Sequence, residues 1–275
     1  GYGAGVSERH LGQALQDTRA AVVVGSKIRL EPPDLVDIEA AVPRLVDESL
    51  IRLQRDAVDL MQLHNPIGKT RDQEPGWLAP DDVFRVIDAF ARLQRLGKLR
   101  FWGINGIGDI GAVQDCLGAE MHSIQVCHNL LNPTAAMPLP NGFPFADQRD
   151  LIGKAAARGI GVLAFRVLAG GALSGTALRH ANASDTVETI YSSSGYDSDV
   201  ALAQSLQVLV DQGFANDLVE VAIRFAATTP GVSSAVIGVS TISQLETAIR
   251  SAANGPLPAA ALRQLHDKWA RFGLA

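Results

Sequence analysis

The chain is poor in cysteine, in aromatic residues and in charge, and each shortage removes a class of function. Cys116 and Cys127 are its only cysteines, too few for a disulfide framework and without the paired CxxC spacing of a zinc site. Charged residues are 19% of the 275 and the formal net charge is −5, which excludes bulk electrostatic gripping of a nucleic-acid backbone. No run reaches the roughly 18 apolar residues of a membrane span, since even VLAFRVLAGGALSG is broken by Arg166, Gly170 and Gly171. Neither HExxH nor GxSxG occurs, so a zinc protease and a triad hydrolase have no support. The N-terminus carries no basic and apolar signal segment. A cytoplasmic protein acting on a small molecule is expected, with neither nucleic acid nor membrane as partner.

What is present is apolar surface: 47% of residues are hydrophobic, enough for a large core. Short β-branched runs recur at Ala21–Ser26, Ala57–Leu63, Leu99–Ile104, Ser123–Cys127, Gly161–Phe165 and Ser234–Gly238. They lack the alternation of a half-exposed strand and read as parallel strands buried on both faces. Between them lie helical stripes. Val83, Val86, Ile87, Phe90 and Leu93 share one face of a helix over 81–96 that ends at a left-handed Gly97. Val42, Leu45, Val46, Ser49, Leu50 and Leu53 form a second stripe, and Leu218, Val221, Ala222 and Phe225 a third. Alternating strand and helix leaves an open doubly wound sheet or a closed barrel.

The strand ends favour the barrel. Lys27, His64, Asn105, His128 with Asn129, Arg166, and Ser240 with Thr241 follow the six runs in order. A polar group at every carboxyl end is how a (β/α)8 TIM barrel, an α/β fold, assembles its functional face. Six strands are two short of closure. Residues 1–15 read as a loop and a helix with Ser7 as N-cap and Leu11, Ala14 and Leu15 facing inward. A single domain over 1–275 is therefore expected, N-terminally incomplete, its first two strands upstream of Gly1.

Singly, the polar residues have bland readings: Tyr2 as a loop aromatic, Lys27 as a lysine reaching past a barrel rim, His64 as a turn residue before Pro66. The glycines of GYGAG follow no strand within the chain, so they fail the context of a dinucleotide fingerprint. Together, GYGAGVSERHLGQAL, VVVGSK and SLIRLQRDAVDLMQLH resemble the aldo-keto reductase superfamily. LQRLGKLRFWGI, SIQVCHNLLN, GIGVLAFRVLAGGALSG and VIGVSTISQLE continue the resemblance through strands five to eight, so that it runs the whole length.

The resemblance implies an NAD(P)(H)-dependent oxidoreductase that interconverts an aldehyde or ketone and an alcohol by hydride transfer. Its catalytic groups would be Tyr2 as general acid and base, Lys27 lowering the tyrosine pKa, and His64 orienting the substrate oxygen; no metal is implied. The family's catalytic aspartate would precede Gly1. Cofactor contacts would come from Asn105 and Gln125 at the carboxamide and Phe165 under the nicotinamide. Arg166, Leu168 and Gly170 would form the phosphate loop, and Gly238, Ser240, Thr241 and Gln244 the adenosine end. Arg166 has an alternative reading as the partner of a rim carboxylate. Gly238, Val239, Ser240, Gln244 and Ala248 stand where relatives place cations or an asparagine. NADP(H) is the first expectation and NAD(H) the second. A capping box at Thr241 and Gln244 would offer an anion its free amides.

Residues 65–80 with Trp77 and 137–145 with Phe143 are candidate pocket walls. The 176–198 excursion, with Tyr191 and Tyr196, reads as a cofactor clasp, a substrate lid or a surface loop. Two rival functions stay open: a nucleotide-binding regulatory barrel like the superfamily's channel-associated members, and an inactive truncated reductase.

Overall fold

The computed structural model describes residues 2–71, 73–139, 142–181, 183 and 186–272, with the backbone alone for Tyr2 and Gly3. Its strands follow chain order, β1-β2-β3-β4-β5-β6, in a six-stranded sheet. Each pairing with a defined register is parallel. Two compact units are formed, residues 1–125 with 158–160, and residues 126–157 with 161–275.

The first unit opens with a 3₁₀ turn at Tyr2–Gly5 and runs α1 (Val6–Thr18), β1 (Gly25–Ile28), α2 (Ile38–Leu53), β2 (Val58–Leu63), α3 (Pro80–Arg95), β3 (Leu99–Asn105), α4 (Ile110–Cys116) and β4 (Ser123–Cys127), the last strand ending in the second unit. Val83, Val86, Ile87, Phe90 and Leu93 are buried on α3, each contributing roughly 1.5–3 kcal/mol by leaving water. The helix stops as its sequence requires. Gly97 takes φ 75, its N–H reaches Gln94 O at 2.8 Å, and Lys98 N–H reaches Leu93 O at 3.0 Å, the paired bonds of a Schellman end. Asp37 and Asp109 cap α2 and α4, accepting from Ala40 N and Ala112 N, each in place of a missing helical partner.

The second unit contains α5 (Leu151–Ala156), β5 (Gly161–Phe165), α6 (Tyr196–Gln204), α7 (Val208–Asp211), α8 (Leu218–Thr228), β6 (Val232–Ala235), α9 (Ile242–Ala253) and α10 (Ala259–Trp269). Its core gathers Leu130, Leu131, Leu173, Leu209, Phe225 and Trp269. Trp269 is sealed in that core and spends its indole N–H on Leu130 O at 2.7 Å. His128 is buried as well, its Nε2 2.9 Å from Thr229 Oγ1 and its ring stacked on Phe225.

Three sequence expectations are corrected. The valine run is not the first strand: Val22 and Val23 are exposed, and regular pairing begins at Gly25. The Asp59 carboxylate takes the Val24 N–H at 2.9 Å, so a side chain replaces the ladder there. The last strand likewise lies at Val232–Ala235, ahead of the expected 234–238. In α1, Gly5 rather than Ser7 is the N-cap, Leu11 is exposed and Gly12 is buried. A Cβ on Gly12 would stand 2.5 Å from Leu53 O, so α1 meets the end of α2 through its backbone and not through leucines. Phe143 and Phe145 are half-buried and pack with Phe272 against the core of the second unit.

Among the described residues no helix is long and apolar enough to cross a membrane. Gly103 admits β4 beside β3, because a Cβ there would collide with Ser123 O and Oγ. Gly103→Ala is expected to cost about 1–3 kcal/mol by overpacking, read as a lower urea midpoint; an unchanged midpoint would show that β4 is free to shift.

Candidate active site

Parallel pairing brings four of the expected residues together in the first unit. Lys27 lies opposite Gln62, Gln62 opposite Gly103, and Gly103 opposite Ser123. Paired residues in adjacent strands point to one side, and so do residues two apart along a strand. Lys27, Gln62 and Ser123 therefore share a face with His64, Asn105 and Gln125. Gln62 Nε2 donates to Ser123 Oγ at 3.0 Å across the gap left by Gly103. One turn of the ladder further on, Asn105 pairs with Gln125, and Asn105 Nδ2 donates to His64 O at 3.2 Å. Two amides and an imidazole thus stand side by side. Lys27 is the third residue of β1 and not a residue beyond it.

The charge state of this group follows from its surroundings. Burial, then the positive charges of Lys27 and Arg29, lower His64 from 6.5 to about 4. The imidazole is neutral at neutral pH, able to donate a hydrogen bond without adding charge. Below it, Glu8 ties three elements: it accepts from Ser26 Oγ, from Ser49 Oγ at 2.5 Å and from Arg52 Nε at 2.5 Å. Burial raises the Glu8 pKa, and these hydrogen bonds outweigh it, holding the carboxylate below its ordinary range. The side chain of Tyr2 lies outside the described residues.

The second unit carries a pocket of about 520 Å³ whose lining includes Arg166, Leu168, Gly170, Gly238, Ser240 and Gln244. Arg166 and Ala169 adopt positive φ, 59 and 47, a bend closed by Ala169 N–H on Arg166 O at 2.7 Å and by Asn129 Nδ2 on the same carbonyl at 3.0 Å. Gly170 has φ 68, and a Cβ there would meet Val187 Cγ1 at 2.6 Å and Arg166 Nη1 at 2.7 Å, so only glycine fits. Gly238 faces open space. Among the described residues no carboxylate lies within ion-pair distance of Arg166, which removes the rim-carboxylate reading for them.

Phe165 and Thr241 do not line this pocket. Phe165 offers its carbonyl to His128 N–H at 3.2 Å. Thr241 caps α9, accepting from Gln244 N–H at 3.2 Å. The expected capping box is displaced by one residue, because Gln244 Oε1 takes the N–H of Ser240 at 2.7 Å and not that of Thr241. The sequence gives Gln62 and Arg179 no individual role, whereas Tyr196 belongs to the excursion for which a cofactor clasp is one reading. Gln62 is buried with Oε1 unpaired among the described residues, and a glutamine inside the apolar run DLMQLH was its signal. Arg179 and Tyr196 line the pocket from the 176–198 excursion. The two cysteines are buried, and burial pushes both thiols up to about 12, too high for a nucleophile. No cluster of three or more His, Cys, Asp or Glu is placed to hold a metal among the described residues.

Histidine neutrality has a consequence for stability. His64 and His128, both lowered from 6.5 to about 4, bind protons more weakly folded than unfolded. Their contribution is complete above about pH 6.5 and is lost as pH falls toward 4. Urea midpoints are expected to decline through that window, and His64→Gln to make the decline shallower. A profile that is flat there would show His64 and His128 titrating normally.

Comparison with known proteins gives this geometry its place. The model of the Aldo/keto reductase family matches residues 1–270. Protein tas of Escherichia coli is 25% identical over 268 residues, 90% of this chain and 75% of that protein. L-galactose dehydrogenase of Arabidopsis thaliana is 27% identical over 252 residues, 89% of this chain and 69% of that protein. Among solved structures, the holo form of aldo-keto reductase AKR11C1 from Bacillus halodurans aligns with a TM-score of 0.68 at 23% identity, over 98% of this chain and 80% of that one. Glycerol dehydrogenase AKR11B4 of Gluconobacter oxydans aligns at 0.69 and 20% identity, over 98% and 79%. The fold is the α/β, TIM-barrel type, with six of its strands among the described residues. With the family model spanning nearly all of it, the chain belongs to the aldo/keto reductase family.

Proposed function

We propose that the chain is an NAD(P)(H)-dependent oxidoreductase interconverting an aldehyde or ketone and an alcohol. The observation that carries this reading is the row of Lys27, a neutral His64, Asn105 and Gln125 on one face of the parallel sheet. It is a set of donors and one cation with no metal cluster or nucleophilic thiol beside it among the described residues. Such a set suits proton delivery to a carbonyl oxygen on which negative charge is growing.

The second unit's pocket fits a dinucleotide. Its volume lies in the range of small-molecule sites, Gly170 leaves a cradle that a Cβ would fill, and Gly238 opens on free space. Arg166, Leu168 and Gly170 would hold the diphosphate, and Gly238, Ser240 and Gln244, with Thr241 capping the helix beneath them, the adenosine end. Asn105 and Gln125 would hold the carboxamide, with Phe165 beneath the ring. When bound, the nicotinamide supplies or accepts the hydride.

The proton belongs to the chain. A tyrosine with its ordinary pKa near 10 stays protonated at neutral pH, so Tyr2 would give its proton to the carbonyl oxygen in reduction and take one back in oxidation. The Lys27 ammonium favours the phenolate and makes both transfers easier. His64, neutral, would donate a hydrogen bond to the same oxygen and fix its direction. NADP(H) is the first cofactor by family and NAD(H) the second, since Gly238, Val239, Ser240 and Gln244 supply no cation. The relative named as a dehydrogenase of L-galactose makes aldoses the first substrates to assay, with simple aldehydes beside them.

Tyr2→Phe is expected to lower turnover by about 10²-fold or more while the dissociation constants of NADPH and NADH stay within a few fold. Unchanged turnover would remove Tyr2 from the chemistry. Arg166→Ala is expected to weaken cofactor binding, and an unaltered dissociation constant would return Arg166 to a structural role.

A further inference from the structure

We propose that Glu8 is a positioning residue for the reaction: its one carboxylate holds the turn that carries Tyr2 at a fixed separation from the strand that carries Lys27, so that the lysine ammonium acts on the phenol. The inference deepens the reading above and rests on its assignment of Tyr2 and Lys27.

The chain of contacts starts at the turn. Tyr2–Gly5 runs directly into α1, and Glu8 is the third residue of that helix. Gly5 takes φ 84 at the junction. A Cβ there would stand 2.6 Å from Arg52 Cδ and 3.0 Å from Arg52 Nε, so the end of the turn rests on the arginine's stem. Arg52 Nε donates to Glu8 Oε2 at 2.5 Å, and Arg52 Nη2 to Ser49 Oγ at 3.3 Å. The other oxygen, Glu8 Oε1, accepts from Ser49 Oγ at 2.5 Å and from Ser26 Oγ. Ser26 directly precedes Lys27 in β1. Side chains alternate along a strand, so Glu8 grips β1 from the face opposite the one on which Lys27 stands. One carboxylate thus joins the turn of the proposed acid, the helix beside it and the strand of the lysine.

A brace between two helices would not need all of this. The α1 backbone already meets α2 where Gly12 approaches Leu53 O, and Arg52 has a second carboxylate in Glu48 at 3.9 Å. What Glu8 adds is the hydrogen bond to Ser26, which passes the position of the turn to β1. The charged groups around it are Arg52 and Glu48 of α2, Arg9 across Gly5, and Lys27 and Arg29 in and beyond β1. Attraction between an ammonium and a phenolate falls with their separation, and misplacing a reacting group by about 1 Å costs up to about 10²-fold in rate.

The test is a pH titration of the full chain, labelled with carbon-13 at the tyrosine Cζ and followed by NMR, the Tyr2 signal being the one absent from Tyr2→Phe. Beside it, the pH dependence of kcat for carbonyl reduction is measured with NADPH and with NADH. Reduction needs the protonated phenol, so activity is lost as pH rises through the tyrosine pKa. Lys27 lowers that pKa, and separating the pair raises it. Ser26→Ala cuts the tie to β1 and leaves Arg52 and Ser49 on Glu8, so that α1 stays fastened to α2. It is expected to move the Tyr2 titration and the alkaline limb of kcat upward together by about one pH unit. At neutral pH kcat should fall about tenfold, with the dissociation constants of both cofactors within a few fold. Glu8→Gln should do the same or more, and Ser26→Thr, which keeps the hydroxyl, should restore both readouts. A Tyr2 titration that stays in place in Ser26→Ala and Glu8→Gln, whether or not kcat falls, makes Glu8 a structural residue and overturns the proposal while leaving the oxidoreductase reading intact. A titration that moves in a chain that reduces no carbonyl keeps the coupling of Tyr2 to Lys27 through Glu8 and overturns that reading.

Discussion

The site in the first unit depends on one hydrogen bond and the gap that admits it. Gln62 reaches Ser123 from two strands away, possible because β3 carries Gly103 where any side chain would collide with Ser123. That contact fixes the lateral register of β2, β3 and β4. Side chains in a strand alternate, so a slip of one residue would turn every inward group outward. With the register fixed, Lys27, His64, Asn105 and Gln125 come to one face by geometry alone.

Chemistry follows from what surrounds that face. A histidine in water would be partly charged near neutrality, whereas burial and the neighbouring Lys27 and Arg29 keep His64 neutral. The cation that remains is a lysine, and its partner in catalysis is proposed to be the phenol of Tyr2. Glu8, fastened to Ser26, Ser49 and Arg52, braces the elements on either side of Lys27. A chain that builds a neutral donor beside a fixed cation favours a developing oxyanion over a substrate that is already charged. In the second unit Arg166 stands at the bend that Ala169 N–H and Asn129 Nδ2 close on its carbonyl, with no carboxylate at ion-pair distance among the described residues.

Much of this was legible in the sequence. The end of α3 at Gly97, the buried stripes of α3 and α8, and the strand-end positions of His64, Asn105 and Arg166 follow from periodicity and turn chemistry, and the structure has them. Hydrophobicity misled where it was not used for pairing. Val22 and Val23 have strand propensity, yet Asp59 takes the hydrogen bond that would have extended β1 to them. Leu11 has the spacing of a buried residue, yet the close approach of α1 to α2 is made at Gly12. Arg179 was out of reach for a different reason. It stands in a polar excursion without period, and only the fold carries it back to Gly170, nine residues earlier in the chain.

Hydride transfer with a nicotinamide dinucleotide is the central proposal, and isotope transfer tests it most directly. The chain would be incubated with NADPH or NADH deuterated on both faces of the nicotinamide C4, together with a panel of aldehydes, ketones and aldoses, and the alcohols analysed by mass spectrometry. The expected product is an alcohol carrying one deuterium on the former carbonyl carbon, formed by the chain and lost in Tyr2→Phe. Absence of deuterated alcohol from every carbonyl, with either cofactor saturating, would contradict it.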